Sequence, residues 1–141
     1  MRIVEELVAR GHPNITATHP TTIEITKSVS LTKKGDCIVA VEATKGLTDL
    51  SRDFRRMCMN DKSRIVVELN VSGIVERITG TGSHLLTLTH ERDLVIRKST
   101  YPSDRTLMIN ANKAASDLRR QFIQRVKSTA TEINVRLTVW V

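Results

Sequence analysis

Aromatic residues and cysteines are scarce in this chain of 141 residues. Two Phe, one Tyr and one Trp leave little surface on which the bases of a nucleic-acid strand can stack. The two cysteines, Cys37 and Cys58, are too few for a disulfide framework and lack the paired spacing of a zinc site. We therefore predict no metal site, and we expect a reducing, cytoplasmic environment.

Long apolar segments and flexible linkers are also missing. No stretch approaches the ~20 consecutive apolar residues of a membrane-spanning helix, and the start, MRIVEELVAR, carries charge within its first six residues, unlike a secretory signal. Only six Gly and three Pro are present, and no segment rich in Gly, Ser or Pro divides the chain. We expect one domain over residues 1–141, with neither membrane insertion nor secretion.

An internal repeat is the most informative feature that the sequence does contain. At an offset of 71 residues, RGHPNITATHPTTIEITKS lies over TGSHLLTLTHERDLVIRKS, and after a shorter connection the offset becomes 68. Twenty-one positions between Ile3 and Val71 are identical to their counterparts in the second half. We predict two tandem repeats, about 1–71 and 72–141, that share one core and are related by a pseudo-twofold axis.

Each repeat reads as several strands, one helix and a final strand. TTIEITKS alternates apolar and polar residues, as a half-buried strand does, whereas CIVAVEA and TLMINA are continuously apolar and are predicted as central strands. Apolar residues recur at helical spacing from Leu47 to Cys58 and from Ala115 to Val126. We predict a mainly β fold with two helices (α+β), built as an antiparallel β sandwich or flattened barrel.

Four polar side chains in each repeat fall on the apolar side of their strands, where a polar group needs a partner or a purpose. Glu5, for example, shares a face with Ile3 and Leu7. All four are identical between the repeats. The eight residues are Glu5, His19, Lys27 and Lys45 in the first repeat, and Glu76, His90, Lys98 and Lys113 in the second.

The leading hypothesis for these eight residues is a pocket, or a symmetry-related pair of pockets, that binds a small anionic or phosphorylated ligand. A carboxylate beside a histidine fixes its tautomer and makes it more basic. Lysines near a helix N-terminus, as predicted for Lys45 and Lys113, add to the positive end of the helix dipole. The lysines and histidines lie where apolar stripes end, so we expect them at the mouth of each half of the core.

A structural role is the alternative for the same residues. Lys45 and Asp49, like Lys113 and Asp117, are four residues apart and suit ordinary ion pairs on a helix surface. Lysines at strand ends commonly extend into water, and a histidine at a strand end is more often structural than catalytic. Identity between the repeats also follows if these residues hold the fold together.

The excess of basic residues supports two further hypotheses. The 22 Lys and Arg against 15 Asp and Glu give a net charge of +7, which favours anionic partners. Arginine-rich helix faces suit a nucleic-acid or ribonucleoprotein binding module, and His19 or His90 with a carboxylate suits a small enzyme.

The sequence identifies no substrate, cofactor or activity, and leaves open whether the protein is an enzyme. Unpaired sheet edges also suit association with another copy of the chain.

Three long segments carry a resemblance to a known family. RGHPNITATHPTTIEITK, KKGDCIVAV and RKSTYPSDRTLMINANKAASDLRR resemble an archaeal family of small proteins classified as a domain of unknown function. The likeness covers nearly the whole chain. It implies an archaeal cytoplasmic protein with a mainly-β sandwich of jelly-roll type and a little helix, and it brings no activity, substrate or catalytic residue.

Overall fold

The computed structural model describes residues 1–141 as eight strands, two α-helices and two 3₁₀ turns. The predicted mainly β fold with two helices is therefore confirmed. The helices α1 (Arg52–Cys58) and α2 (Arg120–Val126) follow the 3₁₀ turns Leu47–Asp49 and Ala115–Asp117. The strands are β1 (Arg2–Arg10), β2 (Thr22–Thr26), β3 (Ile38–Ala40), β4 (Arg64–Val71), β5 (Ile74–Thr81), β6 (Asp93–Arg97), β7 (Thr106–Met108) and β8 (Glu132–Trp140).

The first sheet is antiparallel and has the strand order β1-β8-β4-β5. Its strands form because apolar and polar residues alternate, so that one side faces the core. In the central strands the odd-numbered residues, such as Ile65 and Leu137, are fully buried. The other side faces outward and is accessible at its edge strands, where Val4 is 39% exposed and Val75 is 41% exposed, whereas Val66 on the central strand β4 is covered by its neighbours.

The second sheet has the order β3-β2-β6-β7 and mixes both pairing directions. β2 and β6 pair antiparallel at its centre, whereas β3 lies parallel to β2, and β7 lies parallel to β6. The prediction that CIVAVEA and TLMINA form central strands is wrong, because they supply only the three-residue edge strands β3 and β7. Their apolar runs are buried because these strands pack into the core, which periodicity cannot distinguish from a central position.

The two sheets enclose one core to which both halves of the chain contribute. It comprises 37 buried residues and includes a fully buried phenylalanine from each helix. Single bridges between Arg10 and Val41 and between Thr81 and Ile109 join the sheets at two corners. No continuous strand pairing closes a barrel, so the sandwich describes the architecture and the flattened barrel does not.

Both α-helices begin later than the apolar spacing suggests, because a 3₁₀ turn precedes each of them. A 3₁₀ turn places side chains in nearly the same directions as an α-helix, so the pattern does not reveal the break. α1 is capped by Ser51, whose hydroxyl accepts a backbone hydrogen bond at 3.1 Å, whereas the N-cap of α2 is Arg119 and makes no side-chain cap. Each helix has only seven residues, and neither is long and apolar enough to cross a membrane.

Candidate functional site

Six of the eight predicted site residues lie in two ion-pair clusters. The first ion-pair cluster consists of Glu5, Lys27, Lys45 and Asp49. Lys45 Nζ donates to Glu5 Oε1 at 2.9 Å, and Lys27 Nζ lies 2.5 Å from Asp49 Oδ2. The second oxygen of Glu5 accepts a hydrogen bond from the Ser51 amide at 3.1 Å. Glu5 points inward, as its parity predicts, and its side chain is 13% exposed.

The second ion-pair cluster, Glu76, Lys98, Lys113 and Asp117, repeats this arrangement. Lys113 Nζ donates to Glu76 Oε1 at 3.0 Å, and Lys98 Nζ lies 2.7 Å from Asp117 Oδ2. The other oxygen of Glu76 accepts a hydrogen bond from the Arg119 amide at 2.5 Å. In each half, a carboxylate on an edge strand therefore satisfies an amide at the start of the following helix, where backbone donors otherwise lack partners.

The carboxylates of both clusters are held in their charged form. Burial acts to raise the pKa of Glu76, but the hydrogen bonds from the Arg119 amide and Lys113 outweigh it, and the pKa lies below its ordinary 4.5. The same balance lowers the pKa of Glu5. The hydrogen bond from Lys27 lowers the pKa of Asp49. The first cluster holds two ammonium groups and two carboxylates, so it has no net charge with which to attract an anion. In the second cluster the Arg119 guanidinium also lies 3.5 Å from Glu76 Oε2, which leaves one excess positive charge beside carboxylates that are already paired.

The partners within each cluster differ from the predicted helix-surface pairs. Lys45 was expected to pair with Asp49, but Lys45 reaches Glu5 and Asp49 pairs with Lys27. The reason is the 3₁₀ turn, in which Asp49 Oδ2 accepts a hydrogen bond from the Gly46 amide at 2.8 Å and turns back to its own backbone. The ion pairs thus connect strand, turn and helix start.

His19 and His90 do not lie beside the inward glutamates. Nδ1 of His19 accepts a hydrogen bond from the Thr21 amide at 3.1 Å, and Nδ1 of His90 accepts one from the Asp93 amide at 3.0 Å. Each ring therefore closes the turn before β2 or β6. The carboxylate near His90 belongs to Asp93, at 3.8 Å, and no group of three or more His, Cys, Asp or Glu side chains is arranged to hold a metal ion.

The structure separates residues that were expected to share a pocket. His19 precedes β2 and Lys27 follows it, so the five residues of that strand lie between them. Antiparallel pairing of β2 with β6 brings the Lys27 amide to within 2.9 Å of the Arg92 carbonyl, which is close in sequence to His90. Each histidine therefore lies near the lysines of the other half. The alternation of side chains within one repeat cannot show that these residues lie next to residues of the other repeat.

A buried ionic network on the outer side of the second sheet escaped the sequence analysis. Glu24, with a side chain only 9% exposed, pairs with Arg105, which also lies 2.9 Å from Asp93 Oδ2. Burial and the charge of Asp93 raise the pKa of Glu24 despite Arg105, and burial and the charge of Glu24 raise the pKa of Cys37 to about 11. Alternation made Glu24 look solvent-exposed. The one sign of burial in the sequence was that Glu24 aligns with an apolar residue, Val95, in the second repeat.

The outer face of the first sheet, made of the outward-pointing residues of β1, β8, β4 and β5, carries more arginines than carboxylates; Glu68 lies across from Arg77 and Arg136, and Glu6 lies across from Arg136. Arg2, Arg64 and Arg77 make no ion pair within 4.0 Å, and Arg136 has one carboxylate partner at 3.6 Å. Trp140, the single tryptophan, is half-buried on this face, opposite Arg2 on one neighbouring strand and Arg64 on the other. A basic surface with one aromatic ring results.

Three connected depressions run across the outer face. Two of them, of about 380 and 470 Å³, share Val66, Arg77 and Trp140 and together form what we call the arginine groove. The third, of about 340 Å³, shares Glu6, Glu68 and Arg136 with the arginine groove and lies nearer the β4–β5 turn. We call it the amide groove because Asn70 and Asn134 line it. Its other lining residues are Leu7, Val8, Thr44, Val75 and Val135.

Comparison with known proteins identifies the family but no activity. The profile of the family described as Domain of unknown function (DUF371) matches residues 7–140. An uncharacterized protein of Methanocaldococcus jannaschii is 49% identical over 119 residues, which cover 84% of this chain and 87% of that protein. The resemblance to an archaeal family of unknown function is thus confirmed. The chain belongs to the DUF371 family.

Proposed function

We propose that the protein binds single-stranded nucleic acid along the outer face of the first sheet. The observation that carries the proposal is the group of four arginines, Arg2, Arg64, Arg77 and Arg136, around Trp140, three of which have no carboxylate partner. Positive charge provides most of the affinity of proteins for nucleic acids without regard to sequence. The net charge of +7 acts in the same direction.

The spacing of these arginines suits a chain of phosphates better than one small anion. One strand separates Arg2 from Arg64, and four register positions separate Arg64 from Arg77. With strands ~4.8 Å apart and a rise of ~3.4 Å per residue, the backbone positions of Arg2 and Arg64 are about 10 Å apart and those of Arg64 and Arg77 about 14 Å apart. A single phosphate needs donors that converge on its oxygens at about 3 Å. Arginines spread this widely can contact successive phosphates instead.

Trp140 supplies a stacking surface between two of the arginines. Stacking of a base on an aromatic side chain contributes roughly 1–3 kcal/mol and tolerates every base. The open sheet surface allows a single strand to spread its bases, which a duplex keeps stacked inside. With one ring only, we expect binding of modest affinity that depends mainly on charge.

The ion-pair clusters give less support to the hypothesis of a small anionic ligand. Their four lysines each have a carboxylate partner within 3.0 Å. An incoming anion would therefore have to displace a carboxylate that is already hydrogen-bonded. The helix arginines are also partly committed to the fold, since Arg120 donates hydrogen bonds to backbone carbonyls that include those of Thr16 and Ala17.

Fluorescence anisotropy with a labelled single-stranded 12-mer tests the proposal. If four arginines each neutralise a phosphate, the logarithm of the binding constant should fall with that of salt concentration with a slope of about −3. Replacing both Arg64 and Arg77 with alanine should weaken binding and reduce the slope to about −1.4. Because Trp140 is the only tryptophan, its fluorescence should also change on binding.

The matched control replaces Arg52 and Arg56 of α1 with alanine. Both are exposed, and this double variant loses the same charge from a surface away from the outer face. It should bind nearly as well as the original protein. Equal loss in the two double variants, or binding that does not respond to salt, would refute the proposed site.

We also propose that residues 1–71 and 72–141 descend from one duplicated unit. In support, the two halves contain the same elements in the same order. The corresponding strands β2 and β6, and likewise β4 and β8, pair antiparallel, as a twofold axis requires. An experimental structure tests this proposal, because the halves should superpose with Glu5 on Glu76.

A further inference from the structure

We propose that the amide groove is a nucleobase pocket that prefers bases with an exocyclic amino group (cytosine, adenine, guanine) to uracil and thymine. The inference rests on the proposed function, because it concerns the same bound strand. Glu68 and Arg136 line both the amide groove and the arginine groove. A strand held by the arginines therefore reaches the amide groove without leaving the surface of the sheet.

The groove presents a carboxylate and an amide that the fold does not use. Glu68 is half-buried, yet its carboxylate makes no hydrogen bond and no ion pair within 4.0 Å. Asn134 is exposed, and its side chain makes no hydrogen bond. By contrast, Asn70 Oδ1 already accepts a hydrogen bond from the Gly73 amide, and Thr44 Oγ1 accepts one from the Val8 amide. Glu68 and Asn134 are therefore groove residues whose side chains make no hydrogen bond or ion pair, and Glu68 lies across from Arg77 and Arg136 on the neighbouring strands.

The position of these two residues suits one flat ligand. Asn134 lies directly opposite Asn70 in the register of β8 and β4, and Glu68 is two residues before Asn70 on the same side of β4. Such diagonal neighbours on a sheet lie roughly 7–8 Å apart, a distance that one base can span. The volume of about 340 Å³ is at the lower end of the range of small-ligand pockets.

The preference among bases follows from the chemistry of Glu68. A carboxylate only accepts hydrogen bonds, and a glutamate at a base edge typically accepts from the amino group of cytosine. Uracil and thymine present carbonyl oxygens at the corresponding position, so they place an acceptor against an acceptor. Asn134 does not discriminate in this way, because an amide both donates and accepts. Glu68 is therefore the specificity-determining residue.

The test compares 12-mers of cytidine and uridine, two pyrimidines of the same size, at one salt concentration. We expect the cytidine oligomer to bind about tenfold more tightly, in the range that one good base contact provides. In Glu68→Gln the amide can donate to uracil, so the two affinities should agree within about twofold. Glu132→Gln, a matched change at the exposed start of the same outer face, should keep the tenfold preference. Unchanged melting temperatures establish that both variants are folded.

Two results overturn the inference, and they are distinct from failure of the proposed function. If the original protein binds both oligomers equally while the Arg64 and Arg77 double variant loses both, the base pocket is refuted and the arginine groove stands. If Glu68→Gln keeps the preference, Glu68 does not read the base and the inference fails. If neither oligomer binds the original protein, the proposed function falls together with the pocket.

Discussion

Replacement of Glu76 with alanine should destabilise the fold strongly. The Glu76 side chain is 3% exposed and accepts hydrogen bonds from Lys113 at 3.0 Å and from the Arg119 amide at 2.5 Å. Alanine leaves that amide without a partner, while Lys113, which is 31% exposed, can turn to water. We expect a loss of about 3 kcal/mol of unfolding free energy, from the unpaired amide and the broken ion pair. This corresponds to a decrease of about 10 °C in Tm.

Two matched variants separate the contributions. Glu5→Ala makes the same change in the first half, but the Glu5 side chain is 13% exposed. Water can therefore replace some of the lost hydrogen bonds, and the decrease in unfolding free energy should be about half as large. Glu76→Gln retains an oxygen that can accept from the Arg119 amide and loses only the charge, so we expect a decrease of about 1 kcal/mol. The order of stability should therefore be Glu76→Gln, Glu5→Ala, then Glu76→Ala.

Urea denaturation followed by circular dichroism measures these differences, and its pH dependence provides a second check. The pKa of Glu76 is lower in the folded state than its ordinary 4.5, so its stabilising contribution is complete above pH 4.5 and is lost as the pH falls through the folded pKa. The original protein should lose stability more steeply than Glu76→Gln below that pH. If Glu76→Ala unfolds like the original protein but no longer binds any ligand, Glu76 is a functional residue and the structural interpretation is refuted.

Three further predictions concern other buried features. Arg105→Ala should cost about 2 kcal/mol at pH 7, less than a fully buried pair because Arg105 is 38% exposed. Because the pKa of Glu24 is raised, its charged form destabilises the folded protein as the pH rises. The decrease in Tm caused by Arg105→Ala should therefore become smaller as the pH falls towards 4.5. A decrease that is independent of pH would contradict the pairing of Arg105 with a charged Glu24. Burial raises the pKa of both cysteine thiols, that of Cys37 to about 11, so the half-buried Cys37 should react with a disulfide reagent at pH 8 about 100-fold more slowly than in the unfolded protein, and the buried Cys58 should not react until urea unfolds the protein. Gly46→Ala should lower the unfolding free energy by at least about 2 kcal/mol, because its Cβ would lie 2.0 Å from a backbone carbonyl oxygen; an unchanged urea midpoint would show that the backbone moves aside.

Most of what could be predicted from the sequence came from the alternation of side chains along strands, which shows which residues point inward. It placed Glu5 and Glu76 on the inward side of their strands, and both are found there. These positions depend only on the two-residue period of a strand, which is a local property. The family resemblance and the mainly β class were likewise within reach, because they depend on long segments rather than on single contacts.

The candidate sites required information that no local pattern contains. His19 and Lys27 lie just outside the two ends of β2, and antiparallel pairing of β2 with β6 places residues of the other half beside each of them. The sequence did not single out Arg64 and Arg77, because only the strand order of the first sheet brings them to one surface with Trp140. Alternation could not show that Glu24 is covered, because the residue that pairs with it, Arg105, lies far along the chain.

The position of β8 between β1 and β4 has a consequence for biosynthesis. β1 is made before the other seven strands, and its only neighbour within a sheet is β8, which is made last of the eight. Chains interrupted before residue 132 therefore leave both β1 and β4 with an open edge, the kind of edge that promotes aggregation. High contact order of this kind slows folding, so the first sheet can be completed only after β8 has been made.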